Sequence, residues 1–151
     1  MNDSRYPITR YNHPDQNWLD AVLSLRAEFG DSDSPEPFAS FIKQRLEDET
    51  MLLILAWDGE TPIGYGLAFD VESDSAKPEW TRSGYISQFL ISEKYRQHGI
   101  GNLLMDYIDN WFNERGLKKV LLNVNLGNEN GIRFWKKRGF TEYALRMKRS
   151  A

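Results

Sequence analysis

The sequence predicts an α/β protein whose mixed, mostly antiparallel central sheet carries helices on both faces. Apolar residues recur with the period of strands in some segments and with the period of helices in others, giving the order strand, two helices, three strands, helix, strand, helix, strand. The Asp58-Gly59 turn signal predicts an antiparallel hairpin of Met51–Trp57 with Ile63–Val71. The helix between Tyr85–Ile91 and Lys118–Leu126 makes those two strands parallel.

The remaining elements follow from capping residues and apolar spacing. A first strand is expected near Tyr6–Tyr11. Gly30 ends a first helix, and Ser34 with Pro35 begins a second one that ends near Glu49. The first helix carries Trp18, Val22, Leu25 and Phe29, and the second carries Phe38, Phe41, Ile42 and Leu46.

The second half continues the same pattern after a polar loop at Glu72–Ser83. A strongly amphipathic helix begins at Ile100, and a short helix at Glu129–Arg138 is stopped by Gly139. Thr141, Tyr143, Leu145 and Met147 then alternate with other residues, mostly charged, which predicts an outer strand. We expect one domain over residues 1–151.

Composition is typical of a soluble enzyme domain. The 151 residues are 40% hydrophobic, and no apolar run approaches the length that spans a bilayer. The N-terminus lacks the pattern of a secretion signal, so a cytoplasmic location is expected. The absence of cysteine excludes disulfides, thiolate metal sites and an acetyl-cysteine intermediate. A net charge of −3 argues against nucleic-acid binding.

The loop Arg96–Gly101 has the features of a phosphate-binding site. Gly99 and Gly101 lie between a buried strand and the N-terminus of a helix, where backbone N–H groups and the helix dipole attract anions. Leu104 stands where the dinucleotide fingerprint has its third glycine, and no Gly-Lys-Ser/Thr is present. Alone, this motif is equally compatible with a plain strand-to-helix turn.

A second signature lies downstream, from Val124 to Asn128 and through Gly131, Phe134, Trp135, Lys137, Gly139 and Phe140. Together the two segments resemble the GCN5-related N-acetyltransferase family, whose acetyl-CoA loop has the pattern Gln/Arg-x-x-Gly-x-Gly/Ala. The resemblance covers roughly the last half of the chain. It implies acetyl-CoA as the acetyl donor and no metal.

The family pattern assigns roles to particular positions of this sequence. It implies that the backbone of Leu90 donates to the thioester oxyanion and that Tyr85, Gln88 and Trp135 lie at the reaction site. Trp135 replaces the tyrosine that in many members protonates the leaving thiolate, and an indole cannot serve as that acid. The residues expected at the cofactor are Leu90, Ile91, Ser92, Arg96, Gln97, His98, Gly99, Ile100, Gly101, Asn102, Asn128, Gly131 and Trp135.

Two acidic stretches suggest a cationic acceptor. Asp31, Asp33, Asp70 and Glu72 are candidates for attracting it, although such charges are equally compatible with a solvated surface. The expected function is direct N-acetylation of a primary amine on a small molecule or peptide. The alternatives are an acyl-CoA-binding sensor without catalysis and an O-acyl or longer-chain acyltransferase. The sequence also leaves a homodimer open.

Overall fold

A five-stranded mixed sheet forms the centre of the molecule. The computed structural model describes residues 5–12, 16–29, 35–45, 48–72 and 82–150. The strands lie in the order β1-β2-β3-β4-β5. They are β1 (Ile8–Arg10), β2 (Met51–Asp58), β3 (Thr61–Glu72), β4 (Arg82–Ile91) and β5 (Val120–Leu122), and the helices are α1 (Gln16–Glu28), α2 (Pro35–Arg45), α3 (Ile100–Glu114) and α4 (Glu129–Lys137).

Strand directions agree with those predicted. The first four strands pair antiparallel with their neighbours, and β2 and β3 form the expected hairpin around the positive-φ residue Gly59. β5 pairs with β4 in parallel, and α3 provides the crossover between them. The mixed, mostly antiparallel sheet is therefore confirmed.

Helices cover both faces of the sheet, as expected. β2 is buried on both faces because its side chains alternate between two hydrophobic cores. One core contains Leu52, Ile54 and Ala56 packed against the apolar side of α3. The other contains Leu53 and Leu55 packed against α1 and α2. β2 and the middle of β3 are therefore the parts of the sheet most fully removed from water.

Two glycines let α3 approach the sheet closely. A Cβ built at Gly84 on β4 would lie 2.7 Å from the ring of Phe112, and one at Gly66 on β3 would lie 3.0 Å from Ile108. Larger residues at these positions would push α3 outward. The loop that precedes α3 is thus held at a fixed height above the sheet edge.

An ion-pair network around one buried carboxylate joins β3, β4 and the end of α3. Asp70 accepts from Arg82 at 2.5 Å and from Arg115 at 2.8 Å, and its side chain is only 5% exposed. Hydrogen bonding from Arg82, opposed in part by burial and aided by Arg115, lowers the pKa of the Asp70 carboxyl. The network ties the carboxyl end of α3 to the sheet.

Two predicted strands differ from the structure. β5 is limited to three residues, although the apolar pattern predicted Lys118–Leu126. Residues 141–147 belong to no strand, although their alternating pattern predicted one. β5 is therefore the last strand of the sheet. Alternation predicts which side chains can share a face, but a strand also needs a neighbour.

Among the described helices, none combines the length and hydropathy that crossing a membrane requires. Within the same ranges, no three acidic or histidine side chains gather as a metal-binding group.

We expect Asp70→Asn to reduce the free energy of unfolding at pH 7 by about 1–2 kcal/mol, since it removes charged hydrogen bonds to partly exposed arginines. The native pKa of Asp70 lies below its unfolded value near 3.8. Its stabilising effect is therefore fully present above about pH 4 to 5 and disappears as pH falls through the native pKa. Urea unfolding at several pH values between 7 and 2.5 should therefore show the unfolding free energies of the variant and the parent converging.

Glu72→Gln is the matched control, because Glu72 is an exposed carboxylate two residues further along β3. It should change the unfolding free energy by no more than about 0.5 kcal/mol. An Asp70→Asn deficit that stays constant down to pH 2.5 would contradict the assigned pKa shift.

Candidate active site

The central feature of the site is a gap between β4 and β5. The two strands share only three residue pairs, from Gly84–Val120 to Ile86–Leu122. Beyond Ile86, β4 continues to Ile91, whereas the chain that follows Leu122 leaves the sheet. The gap holds a cavity of about 200 Å³, lined by Ile86, Ser87, Gln88, Phe89, Leu122, Asn123, Val124, Asn125, Asn128 and Trp135.

A bulge in β4 determines which backbone groups face this gap. The register between β3 and β4 shifts between Leu67 and Ala68, leaving Ser87 without a partner. After the bulge, Ser92 N–H donates to the Ile63 carbonyl on β3 at 2.8 Å. Antiparallel pairing alternates, so the N–H and C=O of Leu90 also point toward β3.

This orientation corrects the expectation for Leu90. Its carbonyl lies 3.0 Å from the Cβ position of Gly64 on β3, so its backbone is directed away from the gap. The backbone groups of Phe89 and Ile91 point the opposite way, toward the gap. An oxyanion donor from this strand is therefore Phe89 or Ile91 rather than Leu90.

A larger cleft of about 870 Å³ adjoins the gap and shares Phe89, Asn128 and Trp135 with it. Most residues expected at the cofactor line this cleft: Leu90, Ile91, Arg96, Gln97, Gly99, Ile100, Gly101, Asn102, Asn128, Gly131 and Trp135. Ser92 and His98 do not line it. The sequence motifs, which are separated by some 30 residues, thus meet around one space.

The loop before α3 presents backbone N–H groups to the cleft. Gly99 caps α3 in the left-handed conformation at φ 79°, and Gln97 also has a positive φ of 67°. The first amides of a helix have no acceptor within it, and they carry the positive end of its dipole. This strained turn therefore produces an anion-binding surface at the mouth of the cleft.

Basic side chains surround this surface. Arg96, Arg133, Lys137 and Arg138 all line the cleft. Arg138 is already paired with Asp106 at 3.1 Å and Asp109 at 2.6 Å, and Arg96 lies over the ring of Phe29 at 5.4 Å. Lys137 forms no ion pair with any described residue. Its ammonium is therefore available to a bound anion, as are the guanidinium groups of Arg96 and Arg133, which also form no ion pair among the described residues.

Gly101 has a packing role in addition to the expected one. A Cβ there would lie 2.9 Å from the ring of Phe134 on α4. The glycine lets α4 rest against the first turn of α3, with both helices bordering the cleft. A side chain at this position would therefore disturb the protein as well as any ligand.

Asn128 caps α4. Its side-chain oxygen accepts from the N–H of Gly131 at 3.0 Å, and the absence of a side chain at Gly131 leaves room for this contact. Asn128 also lines both cavities. The cap fixes the start of α4 at the junction of cleft and gap.

Trp135 belongs to an aromatic cluster beneath the junction. Its ring lies 5.0 Å from Phe89, 4.9 Å from Phe134 and 5.4 Å from Phe140, and the residue is 8% exposed. The cluster packs α4 against the part of β4 that follows the bulge, where β4 no longer pairs with β5. Trp135 thus supports the wall of the site, while no hydroxyl stands at this position.

The opposite face of β4 carries a polar cluster. Gln88 Oε1 accepts from Arg26 of α1 at 2.7 Å and from the hydroxyl of Tyr65. Nearby, Asn123 Nδ2 donates to the Tyr85 hydroxyl at 3.0 Å, which bridges β4 and the end of β5. Gln88 is oriented by two donors, and Tyr85 is engaged at the base of the gap.

Glu28, the last residue of α1, connects the two sides of the site. Its carboxylate accepts from Ser92 Oγ at 3.0 Å and from the N–H of Glu93 at 2.9 Å. Tyr95 in the following turn donates to Asp58 at 2.5 Å, and this hydrogen bond raises the pKa of the Tyr95 hydroxyl. The polypeptide entering the anion-binding loop is therefore anchored at both ends of its short 3₁₀ turn, Glu93–Tyr95.

Of the acidic residues expected to attract an acceptor, the two that the structure describes, Asp70 and Glu72, lie away from the gap. Asp70 is occupied by Arg82 and Arg115, and six residue pairs, about 20 Å, separate its position on β3 from Gly64 opposite Ile91. Glu72 lies still further along β3. Asp31 and Asp33 lie outside the described residues. The Asp70 expectation is corrected, since its charge serves the fold.

Several lining residues were not predicted. Phe29, Tyr95, Asn130 and Arg133 border the cleft from α1, the 3₁₀ turn and α4. Phe29 was assigned to the apolar side of the first helix. Helical spacing does not show how close the end of a helix lies to a loop that is distant in the sequence. Lys137 and Arg138 also line the cleft. The sequence placed Lys137 in the second signature and Arg138 at the end of the short helix, without assigning either residue to the cofactor.

Comparison with known proteins identifies the class. Residues 18–140 match the model of the acetyltransferase (GNAT) family. The match covers most of the chain, and the protein belongs to this family.

Solved structures with the same fold include two aminoglycoside acetyltransferases. AAC(6')-Iy in complex with the bisubstrate analogue CoA-S-monomethyl-acetylneamine has a TM-score of 0.83 at 15% identity, covering 98% of this chain and 99% of the other. The enzyme meta-AAC0020 from an uncultured soil metagenomic sample has a TM-score of 0.80 at 16% identity, covering 99% and 98%. Glucosamine-6-phosphate N-acetyltransferase from Arabidopsis thaliana has a TM-score of 0.75 at 13% identity, covering 96% and 97%.

We expect Asn128→Ala to lower the unfolding free energy by about 1 kcal/mol, because the variant leaves the N–H of Gly131 without its cap. Asn125→Ala is the matched control, since that exposed asparagine lies three residues earlier and makes no side-chain hydrogen bond with the described residues. Urea unfolding of both variants measures the difference. Equal effects would contradict the assigned cap.

Proposed function

We propose that the protein catalyses direct transfer of the acetyl group of acetyl-CoA to a primary amine of a small molecule or peptide. The observation that carries this proposal is the continuity of the site. An anion-binding helix N-terminus opens into a cleft, and the cleft leads to a gap between parallel strands where backbone N–H groups are unpaired. Membership of the acetyltransferase family supports the same assignment.

The residues present fit acetyl-CoA. The N-terminus of α3 and Lys137 would hold the pyrophosphate, because backbone amides and a cation together offset its charge. The half-buried aromatic and aliphatic wall of the cleft would contact the pantetheine arm. The arm itself is long and carries amides, so the open edge of β4 at Phe89 and Ile91 would pair with it as a strand would.

The chemistry then depends on where backbone donors lie. Acetyl-CoA supplies an activated thioester whose thiol is a tolerable leaving group, with a pKa near 8.5 in free thiols. The N–H of Phe89 or Ile91 would stabilise the negative charge that develops on the carbonyl oxygen. Trp135 would exclude water from beneath the reacting carbon without transferring a proton.

The acceptor amine must lose a proton before or during its attack. Among the described residues, no carboxylate and no histidine lines either cavity. We therefore infer that water, ordered by the polar cluster of Gln88, Tyr65 and Arg26, receives this proton. That cluster faces α1, so the acceptor approaches from the α1–α2 side of the sheet.

Aminoglycosides and related amino sugars are the acceptors we favour. Two proteins of the same fold are aminoglycoside acetyltransferases, and one acts on an amino sugar phosphate. Polyamines and peptide N-termini are the competing classes. An acyl-CoA sensor without turnover is the alternative outcome of the experiments below.

We expect Lys137→Glu to weaken CoA binding by more than tenfold, or about 1.4 kcal/mol, because it places a negative charge beside the anion-binding surface. Lys118→Glu makes the same change at an exposed lysine that does not line the cleft, and it should leave affinity within about twofold. Titration calorimetry at 0.15 M salt measures both. Equal dissociation constants in the two variants would remove Lys137 from the binding site.

We expect thiol release from acetyl-CoA in the presence of at least one aminoglycoside, polyamine or peptide amine. Trp135→Phe should keep kcat within about threefold of the parent, because the thiolate leaves without an acid and phenylalanine preserves the aromatic cluster. Stopped assays that quantify free CoA with a thiol reagent measure both the release by the parent and the kcat of the variant. CoA binding without release across the panel would favour the sensor, and a large loss in Trp135→Phe with unchanged CoA affinity would give the indole a direct role.

A further inference from the structure

The gap between β4 and β5 has an apolar floor on one face of the sheet and a polar rim on the other. The apolar residues that line it all pack in the core beneath α3 and α4: Ile86, Phe89, Leu122, Val124 and Trp135. Gln88 and Asn123 line it from the face toward α1, where they bond to Arg26 and Tyr85. The gap therefore offers different chemistry to groups that enter it from the two sides.

Part of the floor is uncovered. Ile86 and Trp135 are buried, but Phe89, Leu122 and Val124 remain half-buried beside the gap that they line. Covering apolar surface lowers the free energy in proportion to the area removed from water. The methyl of an acetyl group is too small to cover three side chains, whereas a longer carbon chain would contact all of them.

The gap is also larger than an acetyl transfer requires. An apolar cavity of about 150 Å³ holds a benzene molecule, which has six non-hydrogen atoms, so the gap, at about 200 Å³, corresponds to about eight such atoms. The reacting groups are the sulfur, the carbonyl carbon and oxygen, the methyl and the amine nitrogen, which make five atoms. By the same proportion, room remains for about three more carbons.

The direction of attack places the acyl chain over this floor. A nucleophile approaches a carbonyl carbon roughly perpendicular to the plane of its three substituents. In the proposed reaction the amine arrives from the α1–α2 side, so this plane lies between the strands. The oxygen points to the N–H groups of β4 and the sulfur toward the cleft. The carbon chain is thus directed to the closed end of the gap, where Ile86 and Leu122 form the last strand pair.

We propose that the gap accepts acyl groups of up to about four carbons, and that propionyl-CoA and butyryl-CoA are donors in addition to acetyl-CoA. Leu122 sets the limit, because its half-buried side chain stands at the closed end. The inference rests on the proposed function and extends its donor. The reaction balances as it does for acetyl transfer: the C–S bond breaks, the C–N bond forms, and the proton lost by the amine is matched by the one that converts the thiolate to the CoA thiol.

A charged acyl group does not suit this floor. Among the described residues, no cationic side chain lines the gap. A carboxylate over apolar side chains loses hydration without gaining a partner. Succinyl-CoA has the same number of acyl carbons as butyryl-CoA but ends in a carboxylate, so it separates chain length from polarity.

Titration calorimetry on the full chain without an acceptor tests the inference. Propionyl-CoA and butyryl-CoA should bind within about threefold of acetyl-CoA or more tightly, with a gain of up to about fourfold per methylene. Octanoyl-CoA and succinyl-CoA should bind at least tenfold more weakly than butyryl-CoA. A larger loss from acetyl-CoA to propionyl-CoA would overturn the proposal, and so would octanoyl-CoA or succinyl-CoA binding as tightly as butyryl-CoA.

Leu122→Phe tests the residue that sets the limit. The larger side chain would fill the closed end, so acetyl-CoA affinity should stay within about twofold while butyryl-CoA affinity falls at least tenfold. Leu121→Phe is the matched control, because Leu121 lies on the opposite face of β5 and does not line the gap. Its ratio of butyryl-CoA to acetyl-CoA affinity should equal that of the parent.

Leu122→Ala opens the same end and should bring hexanoyl-CoA affinity within about threefold of butyryl-CoA affinity. Each result compares two ligands on one protein, so a general loss of stability affects both alike. An unchanged ratio of butyryl-CoA to acetyl-CoA affinity in Leu122→Phe would overturn the proposal. An unchanged ratio of hexanoyl-CoA to butyryl-CoA affinity in Leu122→Ala would overturn it equally.

Thiol release with the same series separates this inference from the proposed function. With an amine that the protein acetylates, propionyl-CoA and butyryl-CoA should have a kcat/KM within about tenfold of acetyl-CoA. Release from acetyl-CoA alone would overturn this inference and keep the proposed function. Binding of the series without release would overturn the proposed function, and the donor role with it, while keeping the acyl-length selectivity of the gap.

Discussion

The short pairing of β4 with β5 is the constraint on which the rest of the site depends. Three residue pairs hold the two parallel strands together before they separate. Within a sheet, unpaired backbone groups are costly, and a strand end therefore stays open only if other contacts hold its surroundings in place. Here the aromatic cluster around Trp135 and the cap of Asn128 fix α4 across the opening. Contacts within the folded chain thus hold the two sides of the gap in place.

The bulge at Ser87 changes the chemistry of the same strand. Without it, side chains on the two faces of β4 would continue their alternation and the row of backbone groups facing the gap would be different. With it, Gln88 faces α1 while Phe89 and Ile91 present their N–H groups to the gap. One inserted residue therefore separates a face of β4 that carries polar side chains from an edge that offers backbone N–H groups.

The sequence predicted the fold well because its signals are local. Helix periodicity, the Asp58-Gly59 turn and the crossover helix each determine an element or a direction within a few residues. The glycine loop and the Phe134–Phe140 pattern also brought most of the cleft residues together. Leu90 was misassigned because a bulge, which has no clear sequence signal, decides which backbone groups face the gap. The pairing of Asp70 with Arg82 and Arg115 could not be predicted either, because only the tertiary fold brings these residues together. The last strand was not found for a different reason: residues 141–147 have the alternating pattern of a strand, but in the described structure they pair with no other strand.

Through the carboxylate of Glu28, helix α1 contacts the loop before α3 as well as the polar cluster around Gln88. Arg26 of α1 donates a hydrogen bond to Gln88 in the polar cluster. Two residues later, Glu28 accepts from the N–H of Glu93, where the chain enters the loop before α3. A displacement of this helix therefore moves Ser92 and Glu93 as well. If ligands bind on both sides, as the proposed reaction requires, binding on one side is thermodynamically linked to binding on the other, with equal magnitude in both directions. In the proposed reaction, an amine analogue that shifts α1 would then change the affinity of the protein for CoA without touching CoA.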